Sequence, residues 1–287
     1  MTEHESGRAH RDAARERARA ARAKDRARRR RRRVLGTSGI IVGSLTVVAV
    51  VVVVIANSVR PAGPGPRNTA SDGVLLTGSN GRIVPVETRA VPDGESPTPT
   101  AQGGSQTAIT IYADYMCPYC NQFETAQMPQ IRQWVEDGTA TLELHPLGLL
   151  DRVSLGSRYS TRSAAAAACV ADHDPDAFLA FNSSLYEHQP SEGTRGLTND
   201  ELASLAADAG ATDPAVTPCI IRQDFAGWVA DATNRAMNDP VPNSSLERIT
   251  STPTIIVNGE QYDADGSTSL ADTDAFAAFV RRHGGTS

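Results

Sequence analysis

The sequence predicts an α/β domain that carries a helical insertion and follows a single transmembrane helix. Three observations predict this fold class. Residues 34–56 are apolar and uncharged, strand-like and helix-like segments alternate in the second half of the chain, and a helical block at about residues 155–240 interrupts that alternation. The chain has 287 residues, enough for one large domain or two small ones, but its first hundred residues lack a globular pattern. The folded part is therefore expected downstream.

Positive charge is concentrated at the N-terminus. Residues 1–33 contain 14 basic and 5 acidic side chains, whereas the remainder contains 14 basic and 28 acidic ones. Arginine runs also occur in tails that bind nucleic acid. Because an apolar segment follows directly, we interpret residues 1–33 as a basic cytoplasmic tail lying on anionic lipid, with no nucleic acid as a partner.

Residues 34–56 are predicted to cross the cell membrane once. These 23 residues carry no charge and would extend roughly 34 Å as a helix, enough for a hydrocarbon core of about 30 Å. Six arginines at residues 28–33 precede them, so the positive-inside rule keeps the N-terminus in the cytoplasm. A cleaved signal peptide is the alternative, although its apolar region is usually only about 7–15 residues. We expect a retained signal-anchor with the C-terminal domain outside the cytoplasm.

Residues 57–104 are predicted to form a linker. Proline and glycine are frequent at residues 61–66, and proline, glycine, serine and threonine are frequent at 92–105, which disfavours helices and strands. Between these stretches, two apolar runs flank a Gly-Ser-Asn-Gly sequence at residues 73–86, a pattern typical of a β-hairpin.

The main domain is predicted at residues 105–287. Strands are expected at 108–114 and 139–147, with a helix at 120–136 that Pro129 bends. The insertion is expected to contain helices at 157–171, 176–186, 199–209 and 218–237. Thr198 is placed to cap the third of these. A β-branched strand with an Asn-Gly turn at 253–259 and a helix at 272–283 complete the domain.

The sequence Cys117-Pro118-Tyr119-Cys120 lies where a predicted strand ends and a helix begins. A thiolate on Cys117 would face unpaired backbone N–H groups and the positive end of the helix dipole, so its pKa should be lowered. The two-residue spacing allows Cys120 to close a disulfide with the same sulfur. An inert structural disulfide and half of a zinc site are the alternatives. Since no second C-x-x-C or paired histidine follows, we expect a redox pair and neither a metal nor a cofactor.

Two segments, residues 112–124 (YADYMCPYCNQFE) and residues 252–259 (TPTIIVNG), resemble the DsbA-type branch of the thioredoxin superfamily in its membrane-anchored actinobacterial form. The resemblance covers about residues 105–285. It implies a thioredoxin-like fold with a four- or five-stranded sheet and a helical insertion, and disulfide exchange on exported proteins. It also implies that Pro253 is a cis-proline facing the Cys117 sulfur. The sequence C-P-Y-C also occurs in glutaredoxins, but the membrane anchor, the helical block and the length disfavour that group.

The resemblance further implies a client-binding surface beside the cysteines. The Thr252 backbone would pair with an extended client segment. Met116 and Tyr119 would form an apolar rim around it, and the alternative is that either one packs on the domain itself. Related proteins often bury a carboxylate six residues before the first cysteine, a position that is Ile111 here. Water or another group must therefore handle the Cys120 proton. The candidates are Asp114, Glu124, Glu143 and His145.

Once Cys117 and Cys120 are paired, the two remaining cysteines, Cys169 and Cys219, are left as a structural disulfide within the insertion. A second redox pair is the alternative, although neither cysteine has the motif spacing.

The sequence therefore predicts an enzyme, a protein thiol–disulfide oxidoreductase that introduces disulfides into exported, cysteine-containing proteins. The family resemblance suggests an integral-membrane partner that re-oxidises it. A reductase or isomerase using the same site is one alternative. A non-catalytic peptide-binding module with a permanent Cys117–Cys120 disulfide is another.

Overall fold

A computed structural model describes residues 63–101, 104–263 and 265–284. The predicted basic tail and the predicted transmembrane helix lie outside these residues. Within the described ranges, no helix combines the length and the apolar character that crossing a membrane requires.

One mixed sheet of six strands organises the described part of the chain, with the strand order β2-β1-β4-β3-β5-β6. The strands are β1 (Val74–Ser79), β2 (Arg82–Pro85), β3 (Thr107–Ala113), β4 (Ala140–Pro146), β5 (Thr254–Val257) and β6 (Glu260–Gln261). Strands β3 and β4 are parallel, whereas the other neighbouring pairs are antiparallel. The parallel pair is joined by a helix, as a parallel connection requires.

Seven α-helices accompany the sheet in the ranges that the structure describes. They are α1 (Pro118–Glu136), α2 (Tyr159–His173), α3 (Phe178–Glu187), α4 (Asn199–Asp208), α5 (Val216–Arg222), α6 (Ala226–Asn238) and α7 (Thr273–His283). Pro129 lies inside α1 without ending it. Helices α2 to α6 form the insertion between β4 and β5, and the α/β class predicted from the sequence is confirmed.

Helix α1 packs its apolar side against the sheet. Phe123, Ile131 and Val135 of this helix are at most 2% exposed, and Ile111 of β3 is 3% exposed. The ring of Phe123 meets that of Phe276 in α7 edge-on, with ring centroids 5.3 Å apart. Burial of large side chains on the helix and on the sheet fixes α1 against the sheet and thereby fixes the turn between β3 and α1.

The N-terminal hairpin forms as predicted, but it belongs to the sheet and not to a linker outside it. Strand β1 pairs with β4, with Val74 opposite Leu144 and Leu76 opposite Leu142. Val74 and Leu76 are buried, and this pairing removes their side chains from water. The hairpin therefore extends the sheet to six strands, more than the four or five that the family resemblance implied.

Residues 63–70 also differ from the expected spacer, because they pack against the insertion. The Asn68 side chain donates a hydrogen bond of 2.8 Å to the carbonyl oxygen of Ala171 at the end of α2. Gly65 lies so close to Trp228 of α6 that a Cβ atom there would sit 3.0 Å from the indole nitrogen. The absence of a side chain at Gly65 permits this approach, which the proline and glycine content alone did not indicate.

The last helix predicted in the insertion, residues 218–237, is two helices. Gln223 ends α5 in a left-handed conformation with a φ of 58°, and α6 begins at Ala226. The Gln223 side-chain amide donates a 2.8 Å hydrogen bond to the carbonyl oxygen of Ile220, which satisfies one of the open carbonyls at the end of α5. The break lets the chain turn while its apolar residues remain in the core.

Replacing Thr198 by alanine is expected to lower the free energy of unfolding by about 1 kcal/mol. Thr198 caps α4 in a complete capping box, in which its hydroxyl accepts from the Glu201 N–H and the Glu201 carboxylate accepts from the Thr198 N–H. Chemical denaturation measures the loss. Thr125→Ala, an exposed change in the middle of α1, should leave stability nearly unchanged, and an equal loss in both variants would contradict the capping role.

Candidate active site

The turn between β3 and α1 carries the two cysteines. Cys117 is the N-cap of α1, in an extended conformation, and Pro118 occupies the first turn. The Cys117 N–H donates to the Asp114 carbonyl at 3.0 Å, and the Cys117 carbonyl accepts from the N–H groups of Cys120 and Asn121. Because proline lacks an N–H that would be unpaired at this position, Pro118 starts the helix without cost. The sulfur of Cys117 is thereby placed at the helix N-terminus, as the sequence predicted.

The Cys117 thiol has a lowered pKa. A hydrogen bond from the Cys120 thiol is the main cause; burial opposes it, and the backbone N–H groups of Cys120 and Tyr119 add to it, giving a pKa of about 6. The Cys117 sulfur also lies 3.2 Å from the carbonyl oxygen of Thr252. The thiolate is therefore the prevailing form of Cys117 at neutral pH when the pair is reduced.

Cys120 has the opposite character. It is 2% exposed, and burial, followed by the neighbouring Cys117, raises its pKa well above the ordinary value. Cys120 therefore stays protonated while Cys117 ionises. The two sulfurs are free and lie together in the reduced state. Both are buried, Cys117 at 5% and Cys120 at 2% exposed, so it is their unequal acidity that suits Cys117 as the exchanging sulfur and Cys120 as the resolving thiol.

The loop before β5 borders the Cys117 sulfur. The Thr252–Pro253 peptide bond is cis, and Thr252 and Pro253 are both half-buried. The structure thus brings together Cys117, Cys120, Thr252 and Pro253, which the sequence analysis grouped from segments more than 130 residues apart.

The two predicted rim residues differ from each other in exposure. Tyr119 is 64% exposed and can contact a client, whereas Met116 is fully buried. The prediction that Met116 forms part of the rim is therefore wrong. Its N–H donates 2.8 Å to the Asp114 carboxylate, and the tight turn that this bond closes directs the Met116 side chain into the core.

Asp114, Glu124 and His145 are the candidate proton-handling groups that lie near Cys120, and Glu124 and His145 line the same cavity as Cys120. The Asp114 carboxylate is buried, which raises its pKa to about 6, and its two oxygens accept from the N–H groups of Met116 and Leu150 at 2.8 Å each. Glu124 is also buried, which raises its pKa to about 7, and it lines an internal cavity together with Cys120. Asp114 thus holds the turn and also lies beside Cys120, whose sulfur accepts from the Asp114 N–H at 3.5 Å, whereas Glu124 shares the lining of a cavity with Cys120.

The Glu124 carboxylate is held by the insertion. The side chains of Asn182 and Ser183 in α3 each donate a 3.0 Å hydrogen bond to one of its oxygens. The Tyr115 hydroxyl in turn donates to the Asn182 side chain at 3.0 Å. Nothing in the sequence pattern pointed to Asn182, because only the packing of α3 on α1 brings it to Glu124.

Glu143 and His145 contact the N-terminal segment, and His145 does so in addition to lining the cavity that Cys120 also lines. The Glu143 carboxylate accepts from the hydroxyls of Ser71 and Thr100, and it lies 3.7 Å from the His145 ring. Burial opposes ionisation of Glu143, but these contacts outweigh burial and lower its pKa to about 2. The His145 ring stacks on Tyr112. Glu143 and His145 therefore anchor residues 71–100 to the sheet.

Cys169 and Cys219 are joined by a disulfide between α2 and α5, with Cα atoms 5.8 Å apart. Both are at most 1% exposed, and neither lies at a strand-to-helix junction. No group of three or more His, Cys, Asp or Glu side chains suited to a metal ion occurs among the described residues.

A family model described as thioredoxin matches residues 96–275, more than half of the chain. The chain belongs to the thioredoxin family.

Several solved structures that are similar to this thioredoxin-family chain are bacterial disulfide oxidoreductases. The reduced disulfide bond oxidoreductase DsbG of Mycobacterium tuberculosis is 28% identical, with a TM-score of 0.53, over 74% of this chain and 87% of the other. Reduced DsbA of the same organism is 25% identical, with a TM-score of 0.50, over 72% and 98%. The MdbA thiol-disulfide oxidoreductase of Corynebacterium diphtheriae is 18% identical and shares the fold, with a TM-score of 0.54, over 76% and 94%. The predicted resemblance and enzyme class, a DsbA-like thiol–disulfide oxidoreductase, are confirmed.

A curated relative is a protein of another kind. The serine/threonine-protein kinase PknE of Mycobacterium tuberculosis is 34% identical over 139 residues, which is 47% of this chain. The chain spans only 24% of the length of that kinase, so the match extends to part of the kinase alone.

Alkylation of Cys117 in this thioredoxin-family chain is expected to be half-maximal near pH 6, as the thiolate forms. A free cysteine would reach that point only at about pH 8.5. The rate of iodoacetamide labelling of the reduced protein, followed against pH by mass spectrometry, measures it. Cys117→Ser should remove the fast reaction, because Cys120 remains a buried thiol; a titration midpoint near that of free cysteine would contradict the assignment.

Proposed function

We propose that this chain introduces disulfide bonds into exported proteins, with Cys117 as the sulfur that exchanges with clients and Cys120 as the resolving sulfur. The observation that supports this direction is the unequal acidity of the pair, with the pKa of Cys117 lowered to about 6 and that of Cys120 raised. A stable Cys117 thiolate stabilises the reduced enzyme, and an enzyme whose reduced form is stabilised is a strong oxidant.

The proposed reaction begins with the oxidised enzyme. A client thiolate attacks the Cys117 sulfur, forming a client–Cys117 disulfide while the Cys117–Cys120 bond breaks and Cys120 leaves as a thiolate that takes up a proton. A second client thiolate then attacks the client sulfur of the mixed disulfide. Cys117 leaves as a thiolate, the client has lost two electrons to form its disulfide, and the enzyme holds both electrons as its reduced pair.

The reduction potential of the full protein tests the direction of exchange. A value near about −120 mV, as in strongly oxidising relatives, supports the proposal, whereas one near about −270 mV makes the protein a reductase. Refolding of a reduced client in the presence of the oxidised protein gives an independent readout. An isomerase would act on a scrambled client but would not oxidise a reduced one.

The Glu124 carboxyl group is proposed to protonate Cys120 as it leaves. Glu124 lines the same cavity as Cys120, and burial raises its pKa to about 7, so it carries a proton below that pH. Glu124→Gln is expected to slow mixed-disulfide formation by about tenfold at about pH 6. At about pH 8.5 the difference should vanish, because the wild-type carboxyl is then ionised.

Stopped-flow fluorescence with a reduced client peptide measures this step. Glu136→Gln changes an exposed carboxylate at the far end of the same helix and should have no effect. A rate deficit in Glu124→Gln that is the same at both pH values would contradict proton transfer and indicate a change in packing.

The proposal includes a membrane anchor at residues 34–56, with the N-terminus in the cytoplasm and the catalytic domain outside. Its support is the uncharged apolar stretch and the arginines that precede it. In intact spheroplasts, added protease should digest the catalytic domain and spare an N-terminal tag. Protection of the domain would contradict this orientation.

Re-oxidation is proposed to come from an integral-membrane partner. The exchange reaction leaves the enzyme reduced, so an electron acceptor is required for turnover. Native membrane vesicles are expected to re-oxidise the Cys117–Cys120 pair of the reduced protein, and buffer without vesicles should not. Equal rates in the two conditions would contradict a membrane partner.

A further inference from the structure

Gln189, in the loop that follows α3, contacts the cysteine turn from the insertion. Its side-chain nitrogen donates to two backbone carbonyl oxygens, that of Tyr115 at 3.1 Å and that of Cys117 at 2.9 Å. Its side-chain oxygen accepts a 3.2 Å hydrogen bond from Asn121 in α1. One half-buried amide therefore spans the turn from its entry to the first residues of the helix.

We propose that Gln189 is a positioning residue for disulfide exchange, whose side-chain amide fixes the turn that presents the Cys117 sulfur. This inference rests on the proposed role of Cys117 as the exchanging sulfur. Gln189 does not act on the reacting atoms itself, and its effect passes through the backbone of residues 115–117.

The Tyr115 and Cys117 carbonyl groups, which accept hydrogen bonds from Gln189, belong to the backbone of the turn that carries Cys117. Asp114 binds the turn from one side, through its bond to the Met116 N–H, and Gln189 binds it from the other through the carbonyls on either side of Met116. Pro118 donates no hydrogen bond, so the other backbone restraints are the Cys117 N–H on the Asp114 carbonyl and the first helical bonds onto the Cys117 carbonyl. With the Asp114 and Gln189 contacts in place, the Cys117 sulfur stays near the N–H groups of Tyr119 and Cys120 that stabilise its thiolate.

The loop that carries Gln189 is itself anchored to α3 and α1. The Gln189 N–H donates to the Tyr186 carbonyl at 3.2 Å, and the Asn121 side chain donates to that same carbonyl at 2.9 Å. The Tyr186 carbonyl oxygen therefore joins the end of α3 to the start of α1. The helical insertion therefore contributes directly to the geometry of the cysteine pair in addition to covering it.

The experiment compares Gln189→Leu and Gln189→Glu with the wild-type protein. Leucine removes both donors at similar size, and glutamate keeps the shape but directs carboxylate oxygens at two carbonyls. Both should reduce the acid dissociation constant of the Cys117 thiol by about threefold to tenfold, the effect of about one lost hydrogen bond. The ultraviolet absorbance of the thiolate against pH measures this constant, and the redox equilibrium with glutathione should shift by a similar factor toward a less oxidising pair.

Gln106→Leu is the matched control, since the Gln106 side chain also donates to a backbone carbonyl, that of Gly138 at 2.9 Å, at the opposite end of β3. It should leave the thiolate titration unchanged. Thermal unfolding of each variant shows whether the fold is retained. An unchanged Cys117 titration in folded Gln189→Leu and Gln189→Glu, or an equal shift in Gln106→Leu, would overturn the proposal for Gln189. If Cys117 titrates like free cysteine in the wild-type protein, the proposed function itself fails instead.

Discussion

Cys117→Ser is expected to abolish disulfide transfer, and Cys120→Ser to trap the enzyme on its clients. Serine at 117 removes the only sulfur that both lies at the helix N-terminus and has a lowered pKa. The remaining Cys120 is buried and protonated, so it offers neither a disulfide nor a thiolate to a client. We expect the loss to be complete within the sensitivity of a client-oxidation assay.

The Cys120→Ser variant separates attack from resolution. Its Cys117 can still form a mixed disulfide with a client or with glutathione, but no second enzyme thiol is present to release it. Mixed disulfides should accumulate and be visible on non-reducing gels. In Cys120→Ala, which removes the side-chain donor, the Cys117 titration should also move up toward the ordinary value, because the hydrogen bond from the Cys120 thiol is the main cause of its low pKa. A Cys120→Ser variant that oxidises clients at the wild-type rate would contradict the assignment of roles.

Removing the Cys169–Cys219 disulfide, by replacing both cysteines with alanine, is expected to lower the free energy of unfolding by about 4 kcal/mol. The two residues are 50 positions apart in the sequence, and the bond limits the freedom of that loop in the unfolded chain. A domain of this size should then melt about 10 °C lower. Because many domains have a total stability of only about 5–15 kcal/mol, the loss is large.

Denaturant unfolding of the oxidised wild-type protein and of the double alanine variant measures the change. The matched control is Cys117→Ala with Cys120→Ala, since that pair closes a loop of only a few residues and should change stability far less. Client oxidation by the Cys169→Ala, Cys219→Ala variant should persist at temperatures where it remains folded. Loss of oxidation in the folded variant would mean that this disulfide takes part in exchange, the alternative that the sequence left open.

The insertion has a larger part at the site than its sequence suggested. Its pattern predicted helices and one disulfide, whereas the structure places Asn182 on the Glu124 carboxylate and Gln189 on the cysteine turn. Both are ordinary polar residues at a helix or loop position, and no local pattern marks them. Their partners lie more than 55 residues away, so the contacts follow from how α3 packs on α1.

Much of the fold and the central chemistry could be predicted from the sequence by itself. Local patterns determined the strands and helices, because the period of apolar residues and the capping residues act over a few positions. The spacing of Cys117 and Cys120 at a strand-to-helix junction also determined which sulfur gains acidity, since the helix N-terminus is a local feature.

Only the tertiary structure decided the features that depend on distant partners. The sequence predicted that the β1–β2 hairpin belongs to a linker, whereas in the structure β1 pairs with the edge of β4. It also predicted Met116 in the client-binding rim, whereas the turn places this side chain in the core. Likewise, Glu124 and Glu143 are both buried glutamates, yet burial raises the pKa of Glu124, whereas contacts with His145, followed by hydrogen bonds from Ser71 and Thr100, outweigh burial and lower the pKa of Glu143. Burial and long-range hydrogen bonding are properties of packed surfaces, and a sequence pattern does not encode them locally.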